Sequence, residues 1–485
     1  MRAEETPTAD HRPSPPEECP PVQEPAGKKT GKTGEKGTTG TTGRGADLAA
    51  AGAGVLLVVV AVLVGRAIER ADGALHVNWP PLFASWDPHI GPGTPAAVLV
   101  ALAVVVQGPA VAARLSWRAL TLATWATSMA WVFSLALVDG WHDGIAQRLT
   151  TREEYLQGIG RFGDIGAAVR GYTSHILLYS PGHWPAHLAG HPPGAVLTFV
   201  GLDRLGLGGG GWAGVWCVVT GASAAVAVLV TVRALAGEAL ARRAAPFLVV
   251  APTAVWIGAS ADGYFAAVAA WAVALFTLAA TRTVRSPATA AVASGLLFGA
   301  LCYLSYGLAL IAVIGVAVLL ISRSARPLPL FLAGALVAPA VFTLAGFNWW
   351  EAYQLLVERY YQGVARIRPY GYWVWANLAC TVLMTGLATV AGMRRACTAK
   401  ILRGVRTGTL QDTGRLALLV LAALLALLLA DLSGMSKAET ERIWLPFACW
   451  LLPAAALLPD RGRRGWLTAQ TVLALLINHL LFTGW

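Results

Sequence analysis

The stretch DGWHDGIAQRLTTREEYL, residues 139–156, opens the longest polar interruption in a chain otherwise built of apolar blocks. The stretch YSPGHWPAHLAGHPPG, residues 179–194, closes it. Long connections of this kind are usually functional or disordered. Because Trp, Tyr, Leu and Ile residues favour order, we interpret 139–194 as an ordered functional loop. Its acids and histidines are Asp139, Asp143, Glu153, Glu154, Asp164, His142, His175, His183, His187 and His191.

The composition of the chain around this loop is that of an integral membrane protein. Of its 485 residues, 56% are hydrophobic and 13% are charged, and the mean hydropathy is +0.58. Soluble domains carry roughly 25% charged residues. The apolar runs are continuous rather than alternating, which predicts helices and not barrel strands. The predicted fold class is therefore all-α, a polytopic bundle of transmembrane helices.

The charge and cysteine patterns exclude several other classes. The net charge of +11 comes mostly from Arg and Lys clusters between apolar blocks, as cytoplasmic loops require, so nucleic acid is not a predicted partner. The six cysteines form no Cys-x-x-Cys pair, so neither a zinc site nor a disulfide framework is predicted. Residues 1–45, rich in Pro, Gly, Thr, Lys and Glu, are predicted to be a disordered cytoplasmic tail. Residues 46–485 form the predicted membrane domain.

The apolar runs and the basic clusters between them predict about thirteen spans and a cytoplasmic N-terminus. The block 192–207 is short for a span and contains Asp203 and Arg204, so we predict a half-inserted helix there. This choice gathers four polar elements on the outer face: the segments 139–194, 348–373 and 431–444 and the turn that contains Asp262. The predicted spans are Asp47–Ile68, Ala96–Ala113, Leu120–Val138, Trp212–Val232, Pro246–Ala259, Phe265–Ala280, Ala288–Cys302, Leu308–Ile321, Leu328–Ala345, Val374–Gly392, Leu416–Ala430, Leu445–Leu458 and Leu467–Phe482.

Three aspartates are candidate catalytic residues. Asp139 directly follows an apolar run, a position suited to a general base that activates an alcohol. Asp143 lies in the same DGWHDG motif and is its main rival. Asp262 lies in a turn between two apolar runs, where a lone acid ends a helix or faces a cavity. Glu153 and Glu154 follow a Thr-Thr pair and are interpreted instead as caps of a helix that begins there.

Two histidines of the loop are candidates for binding substrate. His191 precedes a Pro-Pro pair that fixes a helix start, and the free N–H groups of such a start attract an anion such as phosphate. His187 is spaced four residues from both His183 and His191, a pattern that suggests metal binding on one helix face. Proline residues interrupt this segment, so we favour a folded loop over a metal site.

Three further basic residues are candidate ligands of an anion. Arg368, Lys437 and Arg442 lie in loops assigned to the outer face, against the usual excess of cations in cytoplasmic loops. This exception indicates an anionic ligand. Pairing with nearby glutamates or contact with lipid headgroups is the alternative.

The ordered set of features resembles the GT-C superfamily of membrane glycosyltransferases, most closely the branch with protein O-mannosyltransferases and the lipid A aminoarabinose transferase. The matching features are Asp139 at the outer end of an early helix, a long first catalytic loop, and a Pro-Pro motif at the next helix. A later turn also matches, through Pro252, Trp256, Ser260 and Asp262. The resemblance covers about residues 118–285 through motifs, and the C-terminal third of the chain through architecture only. Two extra helices precede Asp139, and Gly-Trp follows it in place of a second acid, which leaves Asp139 and Asp143 both open.

The resemblance implies an extracytoplasmic, inverting transferase in the plasma membrane. The implied donor is a polyprenyl-phosphate-linked sugar, and the acceptor is a hydroxyl of a cell-envelope glycan, lipid or protein. Asp139 would correspond to the loop aspartate that acts as base, His191 would lie near the donor phosphate, and Asp262 would be a second acid. No metal or other cofactor is predicted. The alternative is a multi-spanning transporter or lipid flippase, which requires polar residues deep within the spans.

Overall fold

A computed structural model describes residues 39–398, 403–404 and 406–483. By internal contacts the chain divides into residues 1–43 and 44–485. The predicted disordered tail, residues 1–45, lies almost wholly outside the described residues. The described residues are overwhelmingly helical, with two strands of three residues each, so the predicted all-α class is confirmed.

The helices and strands of the described part follow one another in this order. The first half holds α1 (Thr39–Asp72), β1 (Ala84–Trp86), α2 (Thr94–Arg114), α3 (Trp117–Ala136), α4 (Ile165–Arg170), α5 (Ala186–Gly190), α6 (Pro193–Arg204), α7 (Gly210–Ala222), α8 (Ala224–Ala236), α9 (Glu238–Val249) and α10 (Ala254–Ile257). The second half holds α11 (Ala261–Thr281), α12 (Pro287–Leu304), α13 (Ala312–Ser322), α14 (Leu328–Ala335), α15 (Val337–Leu344), α16 (Trp349–Gln362), α17 (Tyr370–Thr385), α18 (Leu387–Ala396), α19 (Asp412–Leu432), α20 (Thr440–Ile443), α21 (Leu445–Ala448), α22 (Arg463–Leu480) and β2 (Leu481–Thr483).

Seven helical segments of the described residues are long and apolar enough to cross a membrane, or up to nine if each of two bent pairs is one span. The chain is a membrane protein, but the predicted count of about thirteen spans is not confirmed. Some predicted spans are divided: Pro246–Ala259 falls on parts of α9 and α10, and Leu445–Leu458 on α21 and a following 3-10 turn. The seven segments are Gly43–Asp72, Thr94–Arg114, Trp117–Asp139, Gly210–Ala236, Ala261–Thr281, Pro287–Leu304 and Asp412–Leu432.

Helix α11 lies at the centre of the bundle, whereas α1 and α2 lie at its edge and leave most of their apolar side chains exposed. Small residues let neighbouring helices approach closely. Gly295 of α12 lies against the backbone of Phe331, and Gly334 of α14 lies against the backbone of Val292, with no space for a Cβ atom at either position. Close contact through glycine is a common way for membrane helices to associate.

The end of the bundle where α1 begins is held by ion pairs with the last turn of α18. Asp47 is buried, and its carboxylate contacts Arg394 at 2.9 Å and Arg395 at 2.6 Å. Two cations around one buried carboxylate satisfy both of its oxygens. This cluster connects the first membrane helix to the α17–α18 pair.

The opposite end of the bundle, where α1 finishes, is here called the polar end. The loop after α1 supplies His89, whose Nε2 lies 3.0 Å from Asp139 at the end of the α3 segment. The same loop supplies carbonyl oxygens that accept from Arg368, at 2.9 Å from Leu75 and 3.5 Å from His76. The 139–194 loop and the loop before α17 therefore meet at this end.

Helix α6 begins and ends at the polar end. At its last turn, Arg204 donates to the carbonyl oxygens of Phe162 at 2.9 Å and Gly163 at 3.0 Å, both in the 139–194 loop. The next helix, α7, begins at Gly210 against the backbone of Ala146 in the same loop. Both ends of the segment therefore contact the 139–194 loop, and its half-insertion into the membrane stays a prediction.

Candidate functional site

Asp139 is held between two side chains, those of His89 and Arg148, at the polar end. It closes the α3 segment, and Gly140 follows with φ +77°, a left-handed conformation that glycine adopts without strain. Its Oδ1 lies 3.0 Å from His89 Nε2, and its Oδ2 accepts from Arg148 Nη2 at 2.8 Å. The carboxylate is 22% exposed, so it is oriented by two partners and still open on one side.

Asp143, the rival of Asp139, has a different environment. Its side chain is 63% exposed, and the partner that it contacts is the neighbouring His142, at 2.6 Å. The two residues lie in a π-helical turn on the surface of the loop. Of the two aspartates in the DGWHDG motif, Asp139 is the more buried one, and it contacts side chains from other parts of the chain.

A second ionic cluster joins α11 to the segment before α21. Ser260 caps α11 by accepting from the backbone N–H of Asp262, which places Asp262 in the first turn. Asp262 Oδ2 accepts from Arg442 Nη1 at 2.6 Å, and both side chains are almost completely buried. Glu439 adds a second carboxylate, 3.2 Å from Arg442 Nη2. Burial alone lowers the pKa of Arg442, but these carboxylates raise it above its ordinary value, so Arg442 stays charged.

The 139–194 loop enters this cluster through His187 and Glu154. His187 Nε2 lies 3.3 Å from Arg442 Nη2, and His187 Nδ1 lies 2.8 Å from Glu154 Oε1. Because a guanidinium only donates hydrogen bonds, Nε2 accepts and the ring proton lies on Nδ1, facing Glu154. The interpretation of Glu153 and Glu154 as helix caps was wrong. Glu153 accepts from the backbone N–H of Ala186, and residues 155–162 form a 3-10 helix without a side-chain cap.

Backbone strain accompanies both members of the Asp262–Arg442 pair. Ala259 has φ +54°, three residues before Asp262, and the consecutive residues Ala438 and Glu439 have φ +73° and +63°, just before Arg442. Residues other than glycine pay an energetic cost in this conformation and cluster at functional sites. The chain thus accepts strain where it brings these two side chains together.

A small cavity lies between the Asp139 cluster and the Asp262 cluster. Arg148 and Arg442, which hold the two aspartates, both line it, together with Glu154 and Tyr155 of the loop. The remaining wall is formed by residues 259–261 and Leu149. Burial, followed by the charges of Asp262 and Glu154, raises the pKa of Tyr155 well above its ordinary value, so its hydroxyl remains protonated. The cavity therefore presents two guanidinium groups, a carboxylate and a hydroxyl.

His191 lies beside this cavity against aromatic rings. Its ring centroid lies 5.6 Å from that of Tyr155 and 5.7 Å from that of Phe265. Its Nδ1 donates to the carbonyl oxygen of His187 at 2.8 Å, which leaves a lone pair on Nε2. Burial lowers the pKa of His191 to about 4. The ring is thus uncharged at neutral pH, and its position at the start of α6 is close to the cavity.

Arg368 and Lys437, the other two predicted anion ligands, contact backbone carbonyls at the polar end. Arg368 Nη1 donates to the carbonyl oxygen of Lys437 at 2.9 Å, and Lys437 Nζ donates to that of Ala365 at 3.0 Å. Lys437 Nζ also lies 5.1 Å from the ring centroid of Tyr361. Neither side chain lines the cavity between Asp139 and Asp262. These contacts connect the loop before α17 to the loop before α20.

Glu441 is a buried carboxyl group next to Arg442. One of its oxygens accepts from the backbone N–H of Phe83 at 2.9 Å, and the other has no hydrogen-bond partner among the described residues. Burial raises its pKa from 4.5 to about 7. The folded protein therefore binds this proton more tightly than the unfolded chain does. The resulting stabilisation is complete below pH 4.5 and is lost as the pH rises through about 7.

We expect Glu441→Gln to remove the loss of stability above pH 4.5. Glutamine still accepts the hydrogen bond from the backbone N–H of Phe83, and it does not ionise. The difference in unfolding free energy between variant and wild type should grow by about 3 kcal/mol from pH 4.5 to pH 8, in favour of the variant. Denaturant unfolding in detergent at several pH values measures it. Glu358→Gln, on an exposed face of α16, is the matched control and should follow the wild type. If the unfolding free energy of Glu441→Gln depends on pH as that of the wild type does, the raised pKa of Glu441 would be contradicted.

No group of three or more His, Cys, Asp or Glu side chains within the described residues is arranged to hold a metal ion. His183, His187 and His191 do not share a helix face, because α5 extends only from Ala186 to Gly190 and His191 is extended. The absence of a cofactor stays a prediction.

Sequence reasoning missed the partners of Asp139. His89 and Arg148 come from different loops, and neither stands in a motif that marks it as a ligand of a carboxylate. Tyr155 and Glu154 were also missed as cavity residues. The one indication of these two residues in the sequence was the high density of aromatic and acidic residues in the loop. Such a density identifies a functional region but does not show which residues contact one another.

No known protein family matches the chain, and no curated protein matches it. Among solved structures, it is similar to the archaeal oligosaccharyltransferase AglB from Archaeoglobus fulgidus in complex with an inhibitory peptide and a dolichol-phosphate. The TM-score is 0.40 and the identity 14%, over 70% of this chain and 50% of that chain. A second structure of the Archaeoglobus fulgidus oligosaccharyltransferase, tethered to an acceptor peptide, has a TM-score of 0.38 and 15% identity, over 79% and 53%.

The chain spans about half the length of these matched chains. TM-scores of this size lie below the level at which two chains share a fold throughout. The function proposed below therefore depends on the geometry of the site.

Proposed function

We propose that this protein is a membrane-embedded, inverting glycosyltransferase of GT-C type, which moves a sugar from a polyprenyl-phosphate-linked donor to an acceptor hydroxyl of the cell envelope. The observation that carries the proposal is the cavity at the polar end, between Asp139 and Asp262. Two guanidinium groups line this cavity, and one of them, that of Arg148, contacts the partly open carboxylate of Asp139 at the level where helices end. A lipid-linked donor keeps its sugar-phosphate at this level of a membrane.

In the proposed reaction, Asp139 accepts the proton of the acceptor hydroxyl. The hydroxyl oxygen attacks the anomeric carbon of the sugar from the face opposite the phosphate. The bond between this carbon and the phosphate oxygen breaks, its electron pair stays on that oxygen, and polyprenyl phosphate leaves.

The guanidinium groups of Arg148 and Arg442, both in the cavity wall, neutralise the charge that grows on the phosphate. Asp262 holds Arg442 in place through the contact of 2.6 Å. Asp262 is thus proposed to orient a cation rather than to accept the proton. His187 contacts Arg442 at 3.3 Å, and His191 packs against Tyr155, so both histidines lie just behind the cavity wall.

The proposed location is the plasma membrane, with the N-terminus in the cytoplasm and the polar end outside. The basic clusters at the opposite end of the bundle support this orientation, because cytoplasmic loops carry an excess of Lys and Arg. We also propose that the chain crosses the membrane about thirteen times. The acceptor, a glycan, lipid or protein of the cell envelope, lies outside the membrane in this arrangement.

The test is transfer of radiolabel in membranes that contain the protein, with a panel of polyprenyl-phosphate-linked hexoses and pentoses as donors. Transfer from one donor, and its loss in Asp139→Asn, would support the proposal. No transfer from any donor by the folded protein would overturn it and favour the transporter or flippase alternative. Membranes without the protein are the control for endogenous transferases.

A further inference from the structure

We infer that β2 together with His479 is a positioning element for Asp139: it holds Arg148 and His89, the two side chains that contact the carboxylate, and so sets the direction of the candidate base. This inference rests on the proposed role of Asp139. Asp139 and the β2 segment are more than 340 positions apart in the chain, and nothing in the sequence pattern connects them.

The first contact runs through Arg148. This guanidinium donates from Nη2 to Asp139 and from Nη1 to the carbonyl oxygen of Thr483, at 3.0 Å. It also lies 5.0 Å from the ring centroid of Phe482, within the range of a cation–π interaction. Two residues of β2 therefore determine where the guanidinium lies, and the guanidinium in turn fixes Oδ2 of Asp139.

The second contact runs through His89. Its backbone N–H donates to the carbonyl oxygen of His479 at 2.9 Å, and the two imidazole rings stack with their centroids 6.5 Å apart. His479 Nε2 in turn lies 3.0 Å from Thr94 Oγ1 at the start of α2. The last turn of α22 thus places the backbone of His89, and the ring that contacts Oδ1 of Asp139 is oriented further by the carbonyl oxygen of Asp87, 2.6 Å from its Nδ1.

The pairing of β1 with β2 connects the contact through Arg148 to the contact through His89. β1 pairs antiparallel with β2, with Ala84 opposite Thr483 and Trp86 opposite Leu481. The ladder continues past the strands, since the backbone N–H of Asp87 donates to the carbonyl oxygen of Leu480 at 3.0 Å. A short ladder between two loops holds the backbone in register, so both oxygens of Asp139 are oriented by the same segment.

Phe482 is the position at which the inference is tested, because it is 38% exposed and its truncation removes little buried surface. Phe482→Ala removes the ring beside Arg148. Phe482→Trp keeps an aromatic face there and is the conservative variant. Val472→Ala removes an exposed side chain from α22, 45% exposed, and serves as the matched control.

We expect Phe482→Ala to lower kcat of sugar transfer roughly three- to tenfold, because the guanidinium loses its aromatic contact. KM for the polyprenyl-phosphate-linked sugar should stay within about twofold, since Phe482 does not line the cavity, and Phe482→Trp should restore kcat. Val472→Ala should match the wild type. An unchanged kcat in Phe482→Ala, or a loss that Phe482→Trp does not rescue, would overturn the inference.

A second measurement separates this inference from the proposed function. Amide hydrogen exchange over residues 139–148 should lose protection in Phe482→Ala and keep it in Val472→Ala, whether or not any donor is active. Absence of sugar transfer by the wild type would reject the glycosyltransferase. Unchanged exchange in Phe482→Ala would reject the positioning role by itself.

Discussion

Asp139→Asn should lower the rate of sugar transfer by about 10²–10⁴-fold, the range typical of a lost general base. Asparagine keeps the shape of the side chain, and its Oδ1 still accepts from Arg148, so the fold at the end of α3 is preserved. It does not accept the proton of an acceptor hydroxyl. The rate is measured with the labelled donor found in the panel, at saturating acceptor.

Asp143→Asn is the matched control for this prediction. Both variants remove one carboxylate from the same DGWHDG motif, but Asp143 is exposed and contacts its neighbour His142. We expect transfer within about twofold of the wild type, because exposed residues away from a site rarely change its chemistry. If the rate of transfer falls in Asp143→Asn and is unchanged in Asp139→Asn, then Asp143 and not Asp139 is the base. A rate unaffected by both would move the base elsewhere in the loop.

Arg442→Met should lower the free energy of unfolding by about 3–5 kcal/mol, because it leaves buried carboxylates without their counter-charge. The carboxylates concerned are those of Asp262 and Glu439, which contact Arg442 at 2.6 and 3.2 Å. Reversible unfolding in detergent measures the change. Transfer should also fall, since the cavity loses one of its two guanidinium groups.

Two further variants test whether this loss comes from the buried pair. In Arg442→Met combined with Asp262→Leu, most of the stability should return, because replacing both members of a buried pair by apolar residues is often neutral. Arg415→Met removes a looser pair, 3.6 Å from Asp412 with 43% and 62% of the side chains exposed, and should cost less than about 1 kcal/mol. Equal costs for Arg442→Met and Arg415→Met would show that the cluster contributes no special stability.

The positions of the acids relative to the helices could be predicted from local sequence. Asp139 follows the apolar run of α3 and lies at its end, and Asp262 lies in the first turn of α11. Both predictions depend on where an apolar stretch stops, which is a property of adjacent residues. The short block with Asp203 and Arg204 forms a helix, α6, and its half-insertion into the membrane stays a prediction.

Predictions failed where a local pattern has more than one structural outcome. The acids after Thr150 match a helix cap, but tertiary contacts direct Glu153 to Ala186 and Glu154 to His187. The spans predicted from apolar runs near residues 246–259 and 445–458 contain prolines and turns that divide them into short helices. High hydropathy indicates that a segment is buried, but it does not indicate whether the segment forms one continuous helix.

The sequence by itself determined the membrane environment, the all-α class and the helix ends at which the acids lie, because each depends on composition or on neighbouring residues. Only the tertiary structure decided which side chains hold those acids. The partners of Asp139 are His89 and Arg148, the latter held by Thr483, and the partner of Asp262 is Arg442, 180 positions away. Such pairs form where helices and loops from distant parts of the chain meet, so the candidate site depends on packing and not on a motif.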